Sequence, residues 1–121
     1  MSEMQAFRLA EAPWADRVNP VNGAPYLVAR LVKDAETGME AMLVRYPAGS
    51  FSPQHSHPCA HGLLVITGRL RTQAGEFGPG DLVWYPEGCL GLHGATADEA
   101  VTVLLFTNKP FAVTYTSHVT G

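Results

Sequence analysis

The side chains best suited to chemistry in this sequence are histidines, and four of its five fall in two short segments. His55 and His57 are two residues apart, so on an extended strand their imidazoles point to one face. His61 follows the turn-prone Pro58-Cys59-Ala60, where a bend would bring it back beside them. His93 comes after a second turn, Pro86-Glu87-Gly88. Neutral imidazole ligates Fe(II), Mn(II), Co(II), Ni(II), Cu(II) and Zn(II). An H-x-H pair on one strand offers two donors at fixed separation, and donors from other strands can complete a site. Taken alone, H-x-H is more often a pair of surface histidines than a metal site, and His61 and His93 taken singly are more often ordinary hydrogen-bonded residues. His118, near the C-terminus, is expected at the surface, because a ligand there would need tethering.

Holding such donors calls for strands, and the chain reads as all-β. Residues 26–33 (YLVARLVK) and 40–46 (EAMLVRY) flank the polar turn 34–38 and predict a hairpin. Residues 62–67 (GLLVIT) form an apolar run ending at Gly68, with 69–73 expected as its pairing partner. Gly78-Pro79-Gly80-Asp81 turns the chain into a short strand at 82–85, and 101–108 (VTVLLFTN) and 112–117 (AVTYTS) close the pattern. Short strands between Gly and Pro stops are the signature of a sandwich or barrel. Helical character is confined to 3–10 and 95–100, and Asp98-Glu99 reads better as an acidic turn. The first 20 residues, with Pro13 and Pro20, are expected to form an arm over the barrel or a neighbouring subunit, leaving 21–121 as one barrel domain.

Composition narrows the function classes. A length of 121 residues fits one domain, and 46% hydrophobic residues suffice for one core. The formal charge is −3, and the eight Lys and Arg are scattered rather than clustered, which argues against nucleic acid. No apolar run approaches the roughly 18–20 residues that cross a bilayer. The N-terminal residues lack a basic stretch followed by an apolar one, so no secretory signal is expected and the expected address is the cytoplasm. Cys59 and Cys89 are then expected as reduced, small buried thiols rather than a disulfide; both lie in histidine-bearing loops, where oxidants could reach them.

The segment Gly49–Gly68, GSFSPQHSHPCAHGLLVITG, resembles the first motif of the cupin superfamily, G(X)5HXH(X)3–4E(X)6G: Gly49, His55, His57, His61 and Gly68 stand at the matching positions. The second motif, G(X)5PXG(X)2H(X)3N, is matched by Gly80, Pro86 and Gly88. Two departures stand out. His61 replaces the motif's glutamate, and the second-motif histidine falls on Gly91, so that His93 stands two residues late and the closing asparagine is unmatched.

The resemblance implies a cupin jelly roll holding one divalent transition metal (Fe, Mn, Ni, Co, Cu or Zn) through His55, His57, His61 and His93. A three-histidine site with water in the fourth place is the alternative. Four neutral ligands leave two open positions on an octahedral ion and none on a tetrahedral one. They also leave the ion's charge uncompensated, favouring an anionic ligand such as an enolate. The resemblance further implies a homodimer and a small-molecule ligand or substrate. The expected activity is an Fe- or Mn-dependent dioxygenase of a small carbonyl, enol or aromatic compound. A non-redox metal-dependent lyase or isomerase and a non-catalytic sensor are the alternatives. Phe51, Leu63, Val65, Val83, Tyr85, Leu92 and Phe106 are the candidates for the pocket wall, although residues of these types are more often plain core.

Overall fold

Strands form where β-branched, leucine and aromatic residues run between glycine and proline stops. The computed structural model describes residues 3–115. In chain order the strands are β1 (Ala15–Val18), β2 (Pro25–Lys33), β3 (Glu40–Tyr46), β4 (Phe51–Ser56), β5 (His61–Thr67), β6 (Leu70–Thr72), β7 (Gly75–Phe77), β8 (Leu82–Tyr85), β9 (Gly91–Ala95), β10 (Val101–Thr107) and β11 (Thr114–Tyr115). They build two antiparallel sheets, ordered β1-β2-β3-β10-β5-β8 and β11-β4-β9-β6-β7, the two layers of a jelly roll. Helical structure among the described residues is one 3-10 turn, Leu9–Glu11. No helix is long and apolar enough to cross a membrane.

The β2–β3 hairpin forms as expected, with Leu27 opposite Arg45 and Lys33 opposite Glu40. Its turn closes because the Asp34 carboxylate accepts hydrogen bonds from the Thr37 amide and hydroxyl. Residues 97–99 bend between β9 and β10, where the acidic turn is expected. Within the first 20 residues, Ala15–Val18 pairs with β2 at the sheet edge. Residues 116–117 of the last expected strand, and His118, lie outside the described residues.

One pairing differs from expectation. Residues 69–73 do not fold back on 62–67. Leu70–Thr72 pairs with β7 and β9 in the other sheet, while β5 pairs with β10 and β8. The crossing is made at Gly68, whose φ is +80°, and a Cβ there would come 2.0 Å from the Ala100 carbonyl oxygen. Hydropathy sees two adjacent apolar runs, and nothing in it distinguishes a hairpin from a change of sheet.

The core lies between the sheets. Leu63, Val65, Leu70, Val101 and Val103 are buried there, with Val28, Met42, Val44, Tyr46 and Leu105 continuing the inner face of the larger sheet. Burying each aliphatic side chain contributes about 1.5–3 kcal/mol. Truncating Leu63, fully buried, to alanine is expected to cost about 2–5 kcal/mol.

Candidate metal centre

Three strands bring the four histidines of the motif segments together. His55 lies near the end of β4, His57 follows that strand, His61 opens β5 and His93 is the middle residue of β9. All four are buried, none more than 4% exposed. Ring centroids lie 4.8 Å apart for His55 and His57, 4.8 Å for His55 and His93, and 4.4 Å for His57 and His61. One nitrogen from each of His55, His57 and His93 falls within 4.8 Å of the others, and these three could hold a metal ion. His61 borders the same hollow, with Tyr85, Cys89 and Gly91, its centroid 6.4 Å from that of His93.

Strand geometry explains the displaced second-motif histidine. Gly91 sits opposite His55 across the β4–β9 ladder, and a Cβ at Gly91 would come 2.5 Å from the Tyr85 ring. A side chain at the motif position would have to displace the Tyr85 ring. His93, two residues on, keeps the same face of the strand.

Hydrogen bonds fix the proton positions. A carbonyl can only accept, so His55 donates from Nδ1 to the Pro53 carbonyl at 2.7 Å, and His57 donates from Nδ1 to the Ala112 carbonyl. Both rings therefore turn an unprotonated Nε2 inward. His93 Nε2, 3.1 Å from His55 Nε2, is the donor of that pair, and its Nδ1 accepts from the Tyr46 hydroxyl at 3.0 Å. His57 Nε2 and both nitrogens of His61 are buried without a hydrogen-bond partner. Such groups cost about 1–3 kcal/mol each when left unmade, and a bound ion would satisfy orphaned ring nitrogens of this kind. The donor set fits a divalent transition ion.

Electrostatics keep the donors neutral. Burial pushes the His57 pKa down to about 4, with neighbouring His55 adding to it. Burial, then His57 and His55, push His61 down to about 3. His55 is lowered by burial, and His93 is held well below the ordinary range by burial and then by His55. Tyr85 stacks flat on His61, centroids 4.9 Å apart and planes 9° from parallel, and burial pushes its hydroxyl up to about 12.

A cavity of about 90 Å³ opens onto His55, His57 and His93. That is well below the roughly 300–1,000 Å³ of drug-sized sites, so it suits a small molecule. One wall is the inner face of the larger sheet: Tyr26, Val28 and Arg30 alternate along β2, and Met42, Val44 and Tyr46 along β3. Phe111, Val113 and Tyr115 alternate along the last described segment and line it too, with the exposed Arg17 and the buried Asn19.

Among the seven residues expected at the pocket, Tyr85 borders the histidine hollow and the others lie elsewhere. Leu63 and Val65 are core, and Val83 packs against it. Phe106 lies over Gly62 beside the exposed Trp84, on the outer side of the sheet. Phe51 stacks under the Arg71 guanidinium, and the Leu92 amide is tied to Gln73. The period-2 alternation of residues 26, 28 and 30 and of 42, 44 and 46 marks a common face for the missed wall residues, but it does not separate a hollow from packed core. Cys59 is buried and Cys89 half-buried, and both are free thiols.

Comparison with known proteins bears on the fold and the family. No curated protein matches the chain. A cupin-like protein of Thermotoga maritima superposes with a TM-score of 0.69 at 24% identity, over 76% of each chain. A candidate acetylacetone dioxygenase of Methylibium petroleiphilum gives a TM-score of 0.78 at 12% identity, over 97% of this chain and 85% of that one. A chain from Rhodobacter sphaeroides SigE in complex with the anti-sigma ChrR matches at 25% identity and TM-score 0.67, over 83% of this chain and 51% of that one. The family model described as the ChrR cupin-like domain matches residues 2–112, and the chain belongs to that cupin family.

Proposed function

We propose that the protein is a metal-dependent dioxygenase of a small carbonyl compound bound as its enol or enolate, with His55, His57, His61 and His93 holding one Fe or Mn ion. The observation that carries this reading is the cavity lined by His55, His57 and His93 together with an apolar wall, a place beside the donors for a small organic molecule. An ion held there would supply Lewis acidity toward an enol and an electron path to O₂. The chain's own part is to bind and orient. Neutral imidazoles leave the ion's charge for an anionic chelate. Val28, Met42, Val44 and Leu105 keep water from the substrate's carbon skeleton. Tyr46 holds the His93 ring through Nδ1. The likeness to the candidate acetylacetone dioxygenase shows a shared fold and is compatible with this chemistry.

The test is oxygen uptake by Fe(II)- or Mn(II)-loaded protein with a panel of β-diketone, catechol and flavonol-type compounds. One substrate should be consumed with one O₂, and His55→Ala and His93→Ala should abolish uptake along with the metal. Stoichiometric metal with no uptake across the panel would overturn the reading.

That outcome would favour a second reading, a small-molecule or oxidant sensor without turnover. Family membership and the likeness to a chain of the SigE–ChrR complex support it, although this chain spans only about half of that one. Under either reading the protein is proposed to act as a cytoplasmic homodimer, and sedimentation at monomer mass would refute the dimer.

A further inference from the structure

The cavity lining carries two arginines, one of them on a strand face that is otherwise apolar or aromatic. On β2 the inward positions run Tyr26, Val28, Arg30, and on β3, beside them, Met42, Val44, Tyr46. Arg30 breaks an otherwise apolar or aromatic face. Arg17 on β1 pairs in register with Tyr26 and lines the same cavity. No aspartate or glutamate lines this cavity. Glu40 lies outside it and binds one arm of Arg30, Nη1 to Oε1 at 2.8 Å, while its other oxygen accepts from the Phe111 amide. That contact aims Arg30 and leaves the remaining donors of its guanidinium fork for another acceptor. Arg17 spends Nη1 on the Asp16 carbonyl, a neutral partner, so its charge is not compensated by that contact. The tyrosine between them feels both: burial raises the Tyr26 hydroxyl and Arg17 and Arg30 pull it down.

The cavity lining thus combines two guanidiniums, that of Arg30 already paired with Glu40, with neutral histidine donors, in a chain whose formal charge is −3. Local departures from the packing pattern concentrate at functional positions. Guanidinium groups recognise planar carboxylates through paired N–H donors. We propose that Arg17 and Arg30 form a carboxylate-binding subsite, so that the natural ligand is a small oxo acid whose carboxylate sits there while its carbonyl or enol end faces the histidines. The inference rests on the proposed small-carbonyl reading of the site and narrows its substrate class from neutral diketones to oxo acids.

Acetoacetate and 2,4-pentanedione test this well, because they differ chiefly by a carboxylate in place of an acetyl group. Binding of each to the Zn(II)-loaded protein is measured by calorimetry at pH 7.5, in wild type, Arg17→Gln, Arg30→Gln and the double variant. Both arginines are solvent-accessible, so the variants should fold, and a circular dichroism melt verifies it. Acetoacetate should bind about 10-fold more tightly than the diketone, each single variant should erode that preference, and the double variant should abolish it without changing diketone affinity. The preference should also shrink as salt is raised. Equal affinities in the wild type, a preference that survives in the double variant, or no binding of either compound would overturn the subsite. Oxygen uptake is recorded separately with the Fe(II) protein. A retained acetoacetate preference without uptake of O₂ would remove the dioxygenase reading and leave the subsite standing. Uptake with the diketone and no acetoacetate preference would do the reverse.

Discussion

Mild acid should destabilise the metal-free protein, and the buried histidines set how strongly. His57 and His61 have folded pKa values pushed down to about 4 and about 3 by burial, against an ordinary 6.5. Because the folded values are depressed, the unfolded chain takes up protons that the folded one refuses once pH drops below about 6.5. The contribution is therefore fully present above that pH, is lost on the way down, and stops changing only below about pH 4 for His57 and 3 for His61. At pH 5 the unfolded rings are almost fully protonated and the folded ones almost not, which costs about 2 kcal/mol per ring by proton linkage, or about 4 for the pair. His55 and His93 are shifted in the same direction and add to it. Set against a total stability of about 5–15 kcal/mol, that is a large share. Urea unfolding of chelator-treated protein at pH 8 and pH 5 reads the loss directly. His61→Leu, which keeps an apolar side chain against Tyr85, should recover about 2 kcal/mol of it. A wild-type loss under about 1 kcal/mol, or an equal loss in His61→Leu, would refute the argument that these rings are desolvated and neutral.

Two substitutions test the supports of the site. Tyr46→Phe removes the group bonded to His93 Nδ1. Ligation through Nε2 would place that ring's proton on Nδ1, where the tyrosine oxygen accepts it, so metal affinity in a competitive chelator titration should fall about 10–100-fold, and the apoprotein should lose about 1–3 kcal/mol from the orphaned Nδ1. Gly68→Ala puts a methyl 2.0 Å from the Ala100 carbonyl at a φ of +80°, and backbone cannot yield as a side chain can. It should destabilise by more than about 2 kcal/mol in chemical denaturation, and an effect below about 0.5 would mean that the turn relaxes freely.

The fold was legible because its punctuation is chemical. The glycines at 49, 68, 80 and 88 all take positive φ, so the residues that fix the cupin motif spacings are those the backbone needs at its turns. The histidine cluster was legible because H-x-H on a strand fixes a common face. The cavity wall was not. Tyr26, Met42 and Tyr46 look like core in the sequence, and they belong to both the core cluster and the cavity lining. Which buried face is packed and which is hollow depends on how far the sheets diverge, and periodicity does not carry that. The same gap put Leu63 and Val65 in the expected pocket, since their alternation does point inward, toward filled space. The error at residues 69–73 is of the same kind: a change of sheet at one glycine is a three-dimensional event with no hydropathy signature.

The placement of the histidines on two sheets allows the choice between three and four ligands to be made without a ligand in view. His55 and His93 lie on strands of the five-stranded sheet and His57 directly follows one of them, whereas His61 belongs to β5 of the six-stranded sheet. An ion held by the first three alone clamps one layer, and an ion that also engages His61 ties the layers together. Binding at 100 times the dissociation constant stabilises the folded state by about 2.7 kcal/mol in either case, so a melting temperature alone does not separate them. Amide hydrogen exchange does, because it resolves where the stabilisation is felt. With four ligands, Zn(II) should slow exchange in β5, around Gly62 and Leu63, as strongly as in β4 and β9. In His61→Ala the protection of β4 and β9 should persist at saturating metal while that of β5 falls to its metal-free level. Metal-insensitive β5 amides in the wild type would show that His61 stands beside the ion without holding it, and its two unpartnered nitrogens would then need another occupant of the hollow.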